Sequence, residues 1–392
     1  MLVDEALNVI NSIKALDYCE IISLEKAIDE ILFEDIYAKK ALPCFDNAAL
    51  DGYAINYDDR NSPLNIKGTI FAGDKAKYEI NKNECYKIMT GAIFPKGANS
   101  IVMLEDEKFD EQGRLLVPSN LKQDNARRIK GEEVSVGDIL LKANDRLDSA
   151  KIMLLASQGI SYVKVYARPK IAVFSSGDEI NEPWEFCDER SIYNANASGI
   201  MALLRTHGFK SEYKGILKDD KDILKAQINL HAHYDAIITS GGASKGEADF
   251  MREVLLDLGF EEMFGSLDIR PAKPTKLYKK GSQIVLLLPG NPMSCFVACF
   301  LAGIPALKKL SGQANFAHET FFAKFKGDIV MKNSRANIVI GHYENGEFTP
   351  INDNKFSPAM IKPLAMSNAI YLSKIGESGI SNENIIKILK LS

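Results

Sequence analysis

Apolar positions at Ala6, Val9, Ile10 and Ile13, and again at Leu24, Ala27, Ile28, Ile31 and Leu32 behind Ser23, recur at helical spacing and predict two N-terminal helices. Beyond Leu42 the pattern changes: short strand-like runs such as 66–71 and 100–104 alternate with Asp-Gly, Ala-Gly-Asp and Glu-Gln-Gly turns to about Val136. Asp148 then caps a helix over 149–158, which Gly159 ends. Between Pro169 and about Leu310, near-continuous apolar strands (170–174, 210–217, 235–239, 274–278, 284–288) alternate with helices (195–207, 221–230, 249–258, 292–309). Strands apolar on both faces, separated by amphipathic helices, predict a mostly parallel sheet covered on both sides. After 311 short strands and Asn-Gly and Glu-Ser-Gly turns predict a small β barrel or sandwich. The expected fold class is multidomain α/β: a helical linker region (1–42 and 137–167), an inserted small β domain (43–136), a central α/β domain (168–311) and a C-terminal β barrel (312–392).

The 392 residues exceed what one core holds at roughly 150 residues per domain. Lys plus Arg number 48 against 52 Asp plus Glu, a net charge of −4 that lacks the basic face of a nucleic-acid or headgroup binder. Any anion must therefore be held locally. Met1-Leu2-Val3-Asp4-Glu5 puts acids where a signal peptide is basic, and the apolar stretch 296–307 is too short for a bilayer, so a cytoplasmic protein is expected. Six cysteines without C-x-x-C spacing predict reduced thiols, with Cys295 and Cys299 as buried small hydrophobes. His231-x-His233 reads as a polar helix end and carries no chemistry.

In open α/β sheets, ligands sit beyond the carboxyl ends of the strands, where glycine turns and helix N-termini present backbone N–H groups to anions. Three turns qualify here: Ser175-Ser176-Gly177-Asp178-Glu179, the run from Thr239 through Gly241, Gly242 and Ser244 to Asp249, and Pro289-Gly290-Asn291-Pro292. None matches a Walker loop or G-x-G-x-x-G, which leaves another phosphate-bearing ligand. Arg270-Pro271-Ala272-Lys273-Pro274 offers two cations on a proline-restrained segment. Asp178, Glu179, Asp219, Asp220 and Asp249 offer hard oxygens of the kind Mg²⁺ takes, although Asp220 and Asp249 also suit helix caps.

Taken together, the segment from Phe45 to Ala54, Met89-Thr90-Gly91-Ala92, Arg128 to Val134, Ser176 to Glu179, Thr239 to Asp249, Pro271 to Pro274 and Pro289 to Ser294 resemble the molybdopterin molybdenumtransferase family. These are the MoeA proteins and the E domain of gephyrin and its plant counterpart. The resemblance implies a homodimer with its active site between subunits and a molybdopterin-binding α/β domain. The implied reaction transfers molybdenum from molybdate to adenylylated molybdopterin with Mg²⁺ and releases AMP. It further implies Asp51, Thr90, Glu133, Glu179, Asp249 and Lys273 as catalytic residues. Ser176, Gly177, Asp178, Gly241, Gly242, Ser244, Pro289, Gly290, Asn291 and Pro292 would bind pterin and nucleotide. Arg270, Lys273 and Arg335 would hold molybdate, and Glu179, Asp249 and Asp219 the Mg²⁺. A contact with the molybdopterin adenylyltransferase is also implied.

The chain departs from the family where Lys-Pro-Gly-Lys-Pro becomes Arg270-Pro271-Ala272-Lys273-Pro274 and Gly-Glu-Asp becomes Gly131-Glu132-Glu133. A serine of the last domain has only Ser357 and Ser367 as counterparts. Two rival readings are the adenylyltransferase, which would not need the segments around Asp51 and Thr90, and a non-catalytic dimeric scaffold, against which the intact Asp51, Glu179, Asp249 and Lys273 argue.

Overall fold

The computed structural model describes residues 1–218, 220–241 and 247–391, with only the backbone of 247–249. The chain divides into two units, one of residues 1–33, 144–147 and 162–392 and the other of residues 34–143 and 148–161. The segments 1–42 and 137–167 are thus distributed over both.

The first unit is built on a six-stranded sheet. Its strands are β1 (Ile171–Ser176), β2 (Glu212–Leu217), β3 (Ala236–Ser240), β4 (Glu261–Phe264), β5 (Lys276–Lys280) and β6 (Gln283–Leu288), in the order β2-β1-β3-β6-β5-β4. The pairs β1·β2, β1·β3 and β3·β6 are parallel, whereas β5 and β4 form an antiparallel edge. Alternation along the central strands explains why both faces are covered. Val173, Ile238 and Leu286 enter one apolar cluster with Ile200 and Leu204 of α3 (Ala195–Thr206), while Phe174, Ile237 and Val285 enter a second with Leu224 and Ile228 of α4 (Lys221–Leu230) and Val254 and Leu255 of α5 (Glu247–Asp257).

α6 (Pro292–Leu310) lies in the first cluster. It runs through a π turn at Cys299–Gly303, where a Cβ on Gly303 would come within 3.0 Å of Leu286. Its 19 residues exceed the expected apolar stretch and are long and apolar enough to cross a membrane, but they are 83% buried inside the fold and serve as its core helix. Cys295 and Cys299 are buried there, and burial pushes both thiols up.

The C-terminal part closes into a five-stranded barrel of β7 (Thr320–Phe325), β8 (Ala336–Glu344), β9 (Glu347–Pro350), β10 (Ala369–Leu372) and β11 (Ile385–Lys390), in the order β8-β9-β7-β11-β10 with β10 returning to β8. Phe325, Val339, Phe348 and Ile388 fill its interior. Ile269 and Arg270 extend the barrel by pairing parallel with Ala336 and Asn337 of β8.

The second expected helix of the N-terminus does not form. α1 (Val3–Asn11) is followed by a strand, Cys19–Ser23, paired with Tyr162–Tyr166, and then by a single 3₁₀ turn, Leu24–Lys26. Asp29 takes a left-handed φ of 66°, and Ile31 and Leu32 make bridges to Arg146 and Val165. Ala27, Ile31 and Leu32 are buried as the apolar pattern requires, but a turn and an extended segment bury them.

The second unit holds a four-stranded sheet ordered Asn65–Ile70, Glu84–Ile88, Gly52–Ile55 and Ser100–Met103. Ala54, Ile88 and Ile101 face one small core, and Tyr53, Ile55 and Val102 face another. α2 (Ser149–Ser157) belongs to this unit, with the Asp148 carboxylate accepting from Lys151 N at 2.9 Å as the sequence predicts.

Candidate functional site

Parallel pairing in register sets the site. Ser175 of β1 lies opposite Ser240 of β3, and Ser240 opposite Leu288 of β6, so the three glycine turns leave adjacent strands at the same edge. Gly241 is the junction. Its φ is +90°, and a Cβ there would come within 2.1 Å of Ser176 O, so only glycine fits. A Cβ on Gly290 would reach 3.6 Å from Gly241 Cα. Gly241 and residues of the first and third turns border one cavity of about 640 Å³.

Ser176, Gly177 and Glu179 from the first turn, Gly241 from the second, and Gly290, Asn291 and Pro292 from the third line this cavity. Asp178 is exposed outside the lining, and Pro289 is buried behind it. Gly242, Ser244 and Asp219 lie outside the described residues, as does the Asp249 side chain.

The opposite wall comes from residues that the sequence reading passed over. Asn194 caps α3, its Oδ1 accepting from Ala197 N at 3.3 Å and from Ser175 Oγ at 2.9 Å. Asn196 Nδ2 donates to Gly290 O at 2.7 Å and ties the start of α3 to the third turn. Ala359 and Ile361 of the C-terminal part complete the lining, held by Met293 N donating to Pro358 O at 3.1 Å. An asparagine before a helix reads as a cap, which it is, so its second task gives no separate sequence signal.

Behind the wall, the nearly buried Glu182 accepts from the Tyr213 hydroxyl and from Asn194 Nδ2 at 3.3 Å. Burial, and then the bond to Glu182, pushes the Tyr213 hydroxyl well above its ordinary range. The N-termini of α3 and α6 both open on the cavity, so the field favours a phosphate-bearing ligand.

The cationic segment stands apart from this lining. Leu267 N and Thr275 N both donate to Lys273 O, at 3.0 and 2.8 Å, and the buried Thr275 hydroxyl donates to Ala272 O at 2.7 Å. Lys273 is exposed at the tip. Among the described residues, Arg270 Nη1 is buried with no hydrogen-bond partner. The β8 pairing brings Arg335 to this segment, its Nε 3.5 Å from Asp268 Oδ1. Ala272 holds a φ of +89°, so this chain keeps an L-residue in a left-handed conformation.

In the second unit, Asp51 and Thr90 are joined directly. Thr90 N and Thr90 Oγ1 donate to Asp51 Oδ1 at 2.6 and 2.7 Å. The Thr90 amide, and then its hydroxyl, hold the exposed Asp51 carboxyl below the usual carboxylate range. Glu133 is exposed, its amide donating to Leu42 O at 3.0 Å. Ser367 Oγ donates to Pro363 O at 2.8 Å, while Ser357 is exposed beside the loop that reaches the cavity.

Glu179 is a hard carboxylate on the cavity wall, and one such ligand together with phosphate oxygens is a common setting for Mg²⁺. Among the described residues, no three His, Cys, Asp or Glu cluster as an all-protein metal site.

Residues 1–159 match the family described as MoeA N-terminal region (domain I and II), and residues 172–309 match the probable molybdopterin binding domain. A molybdopterin molybdenumtransferase of Haemophilus influenzae is 35% identical over 308 residues, 78% of this chain and 76% of that protein. One of Nostoc sp. is 31% identical over 95% of this chain and 88% of its own length. The crystal structure of a molybdopterin biosynthesis MoeA protein from Pyrococcus horikoshii superposes with a TM-score of 0.82 at 27% identity, covering 100% of this chain and 99% of that one.

Proposed function

We propose that this chain, which belongs to the MoeA family and is a transferase enzyme of molybdenum-cofactor biosynthesis, inserts molybdenum from molybdate into adenylylated molybdopterin and releases AMP. The observation that carries this reading is the convergence of Gly241, the first and third glycine turns and two helix N-termini on one cavity with Glu179 in its wall. Cleaving a phosphoanhydride requires neutralising charge on the leaving phosphate and orienting an oxygen nucleophile. The backbone N–H groups of Gly290 and Asn291, beside the start of α6, would serve the first need. Glu179 would hold Mg²⁺ against the phosphates, and the ion would supply further charge neutralisation.

Molybdate is a tetrahedral dianion and needs concentrated positive charge. Arg270, whose buried Nη1 has no partner among the described residues, and the exposed Lys273 offer it, with Arg335 on the neighbouring strand partly committed to Asp268. Asp51, Thr90 and Glu133 belong to the same reaction as residues contributed within a cytoplasmic homodimer whose active site is shared between subunits. The molybdopterin adenylyltransferase supplies its substrate by direct contact.

Glu179→Gln and Lys273→Ala are expected to fold normally and to lose molybdate-dependent AMP release from adenylylated molybdopterin. Undiminished release by either variant overturns the assigned roles. Mixing Asp51→Ala chains with Lys273→Ala chains should restore part of the activity in heterodimers, and no recovery would refute a shared site.

A further inference from the structure

Between the two short strands Ile180–Asn181 and Ile192–Tyr193 the chain makes a loop whose apolar residues have no place in any core. Trp184 is 76% exposed and Phe186 85% exposed. The loop is nevertheless fixed. Glu185 N donates to Glu182 O at 3.0 Å, closing a β-turn with Pro183 in its second position and Trp184 in its third. Glu182 N donates in return to Glu185 Oε2 at 2.9 Å, and Asn181 Nδ2 donates to Phe186 O at 2.6 Å. At the root, the Glu182 carboxylate is anchored by Tyr213 and Asn194.

The strands that carry this loop also form the edge of the cavity. Ile180 pairs with Ile192 and Asn181 with Tyr193, and Ile180, Ile192 and Tyr193 all line it. The loop of Trp184 and Phe186 joins these two strands, so both aromatic residues sit on the segment that connects two parts of the rim, outside the lining itself. Glu185, Asp188 and Glu189 on the same loop are exposed acids, which repel a phosphate and direct that end of a ligand toward the glycine turns.

We infer that Trp184 and Phe186 are ligand-binding residues, forming a stacking rim for the fused bicyclic heteroaromatic ring of the phosphorylated ligand held by the cavity. The inference rests on the proposed function and adds to it the residues that grip the ring. Both a pterin and an adenine present this chemistry. A loop backbone already fixed by a proline turn and two side-chain anchors loses little freedom when its aromatic side chains stack.

Trp184 is the single tryptophan of the chain, so its emission reports this position alone. Full-length protein is titrated with molybdopterin and, separately, with AMP, following Trp184 emission and measuring affinity by calorimetry. One of the two ligands is expected to quench the emission, and Trp184→Ala is expected to weaken that ligand about ten-fold or more. Trp184→Phe should retain most of the affinity, and the ligand that responds identifies which ring is stacked. Binding of either ligand with emission unmoved and Trp184→Ala affinity within about two-fold of wild type overturns the stacking rim and leaves the cavity's function intact. Binding of neither ligand overturns both.

Discussion

Replacing Gly241 by alanine tests the geometry on which the site depends, because two separable costs can be read from one position. The backbone term comes from φ +90°, where an L-residue loses about 1 kcal/mol relative to glycine. The packing term comes from the Cβ, which would lie 2.1 Å from Ser176 O and 3.0 Å from Ser176 C. Those are main-chain atoms at the end of β1, so no rotamer change relieves the overlap and the ends of β1 and β3 must separate. Forced overpacking of this kind costs roughly 1–3 kcal/mol, which gives roughly 2–4 kcal/mol in total. Gly259→Ala is the control. Its φ is +83°, but the nearest atom to its Cβ would be Lys280 Cε at 4.0 Å, so it carries the backbone term alone. Thermal unfolding of both variants, followed by circular dichroism, should show Gly241→Ala losing at least twice as much as Gly259→Ala. Calorimetric titration with AMP should show lost affinity only for Gly241→Ala. Equal destabilisation of the two variants would refute the close approach of the strand ends.

Further outcomes follow from the same reasoning. Ala272→Val should destabilise by about 3 kcal/mol or more, since a β-branched residue is forced into φ +89° in a buried turn. Ala272→Gly should stay within about 1 kcal/mol of neutral, because relief of the left-handed backbone is offset by a lost buried methyl; urea unfolding of both variants checks this. Burial lowers the folded pKa of His207 and His318 from 6.5 to about 4. Because the folded pKa values are depressed, the stability they carry is complete above about pH 6.5 and is lost as pH falls toward 4. At pH 5 the pair should have lost roughly 2–4 kcal/mol, and a His207→Leu/His318→Gln variant should show a flatter stability profile between pH 7 and pH 5. Thr90→Val should raise the Asp51 pKa while leaving it below the ordinary carboxylate value, since the Thr90 amide is the larger cause and survives; carboxyl-carbon NMR titration reads the shift.

The α/β unit was legible because its signals are local. Val173, Ile238 and Leu286 alternate with Phe174, Ile237 and Val285 because both sheet faces are covered, and that pattern is written along each strand. The glycine turns were legible for a related reason, since a residue such as Gly241 is favoured by its own φ, whereas its close approach to Ser176 of the adjacent strand left no local signal. The N-terminal segment misled because spacing at 3.6 residues does not specify a helix when another element can bury the same side chains. Here Asp29 breaks the pattern, and Ile31 and Leu32 reach partners more than a hundred positions away. The antiparallel edge strand Glu261–Phe264 was missed because its four residues are too short for a periodic signal. Asn194, Asn196 and Ile361 were missed as wall residues because each already satisfies a local reading, as cap, helix start or loop.

The proposed function assigns two kinds of anion recognition to separate parts of the first unit, and that separation is itself testable. Backbone N–H groups have fixed directions and modest partial charge, which suit a phosphate that must be bound and released. Full cations at Arg270 and Lys273 lie on a turn closed by its own hydrogen bonds and absent from the cavity lining. On the proposed function, charge on that turn would stabilise a compact dianion without contributing to the grip on the nucleotide. Lys273→Ala should therefore leave AMP affinity within about two-fold of wild type while raising the molybdate concentration needed for turnover. Lys273→Arg should recover part of the molybdate response, because charge is kept as the donor geometry changes. A parallel loss of AMP affinity in Lys273→Ala would place the lysine on the phosphate, and the two recognition tasks would then share one set of charges.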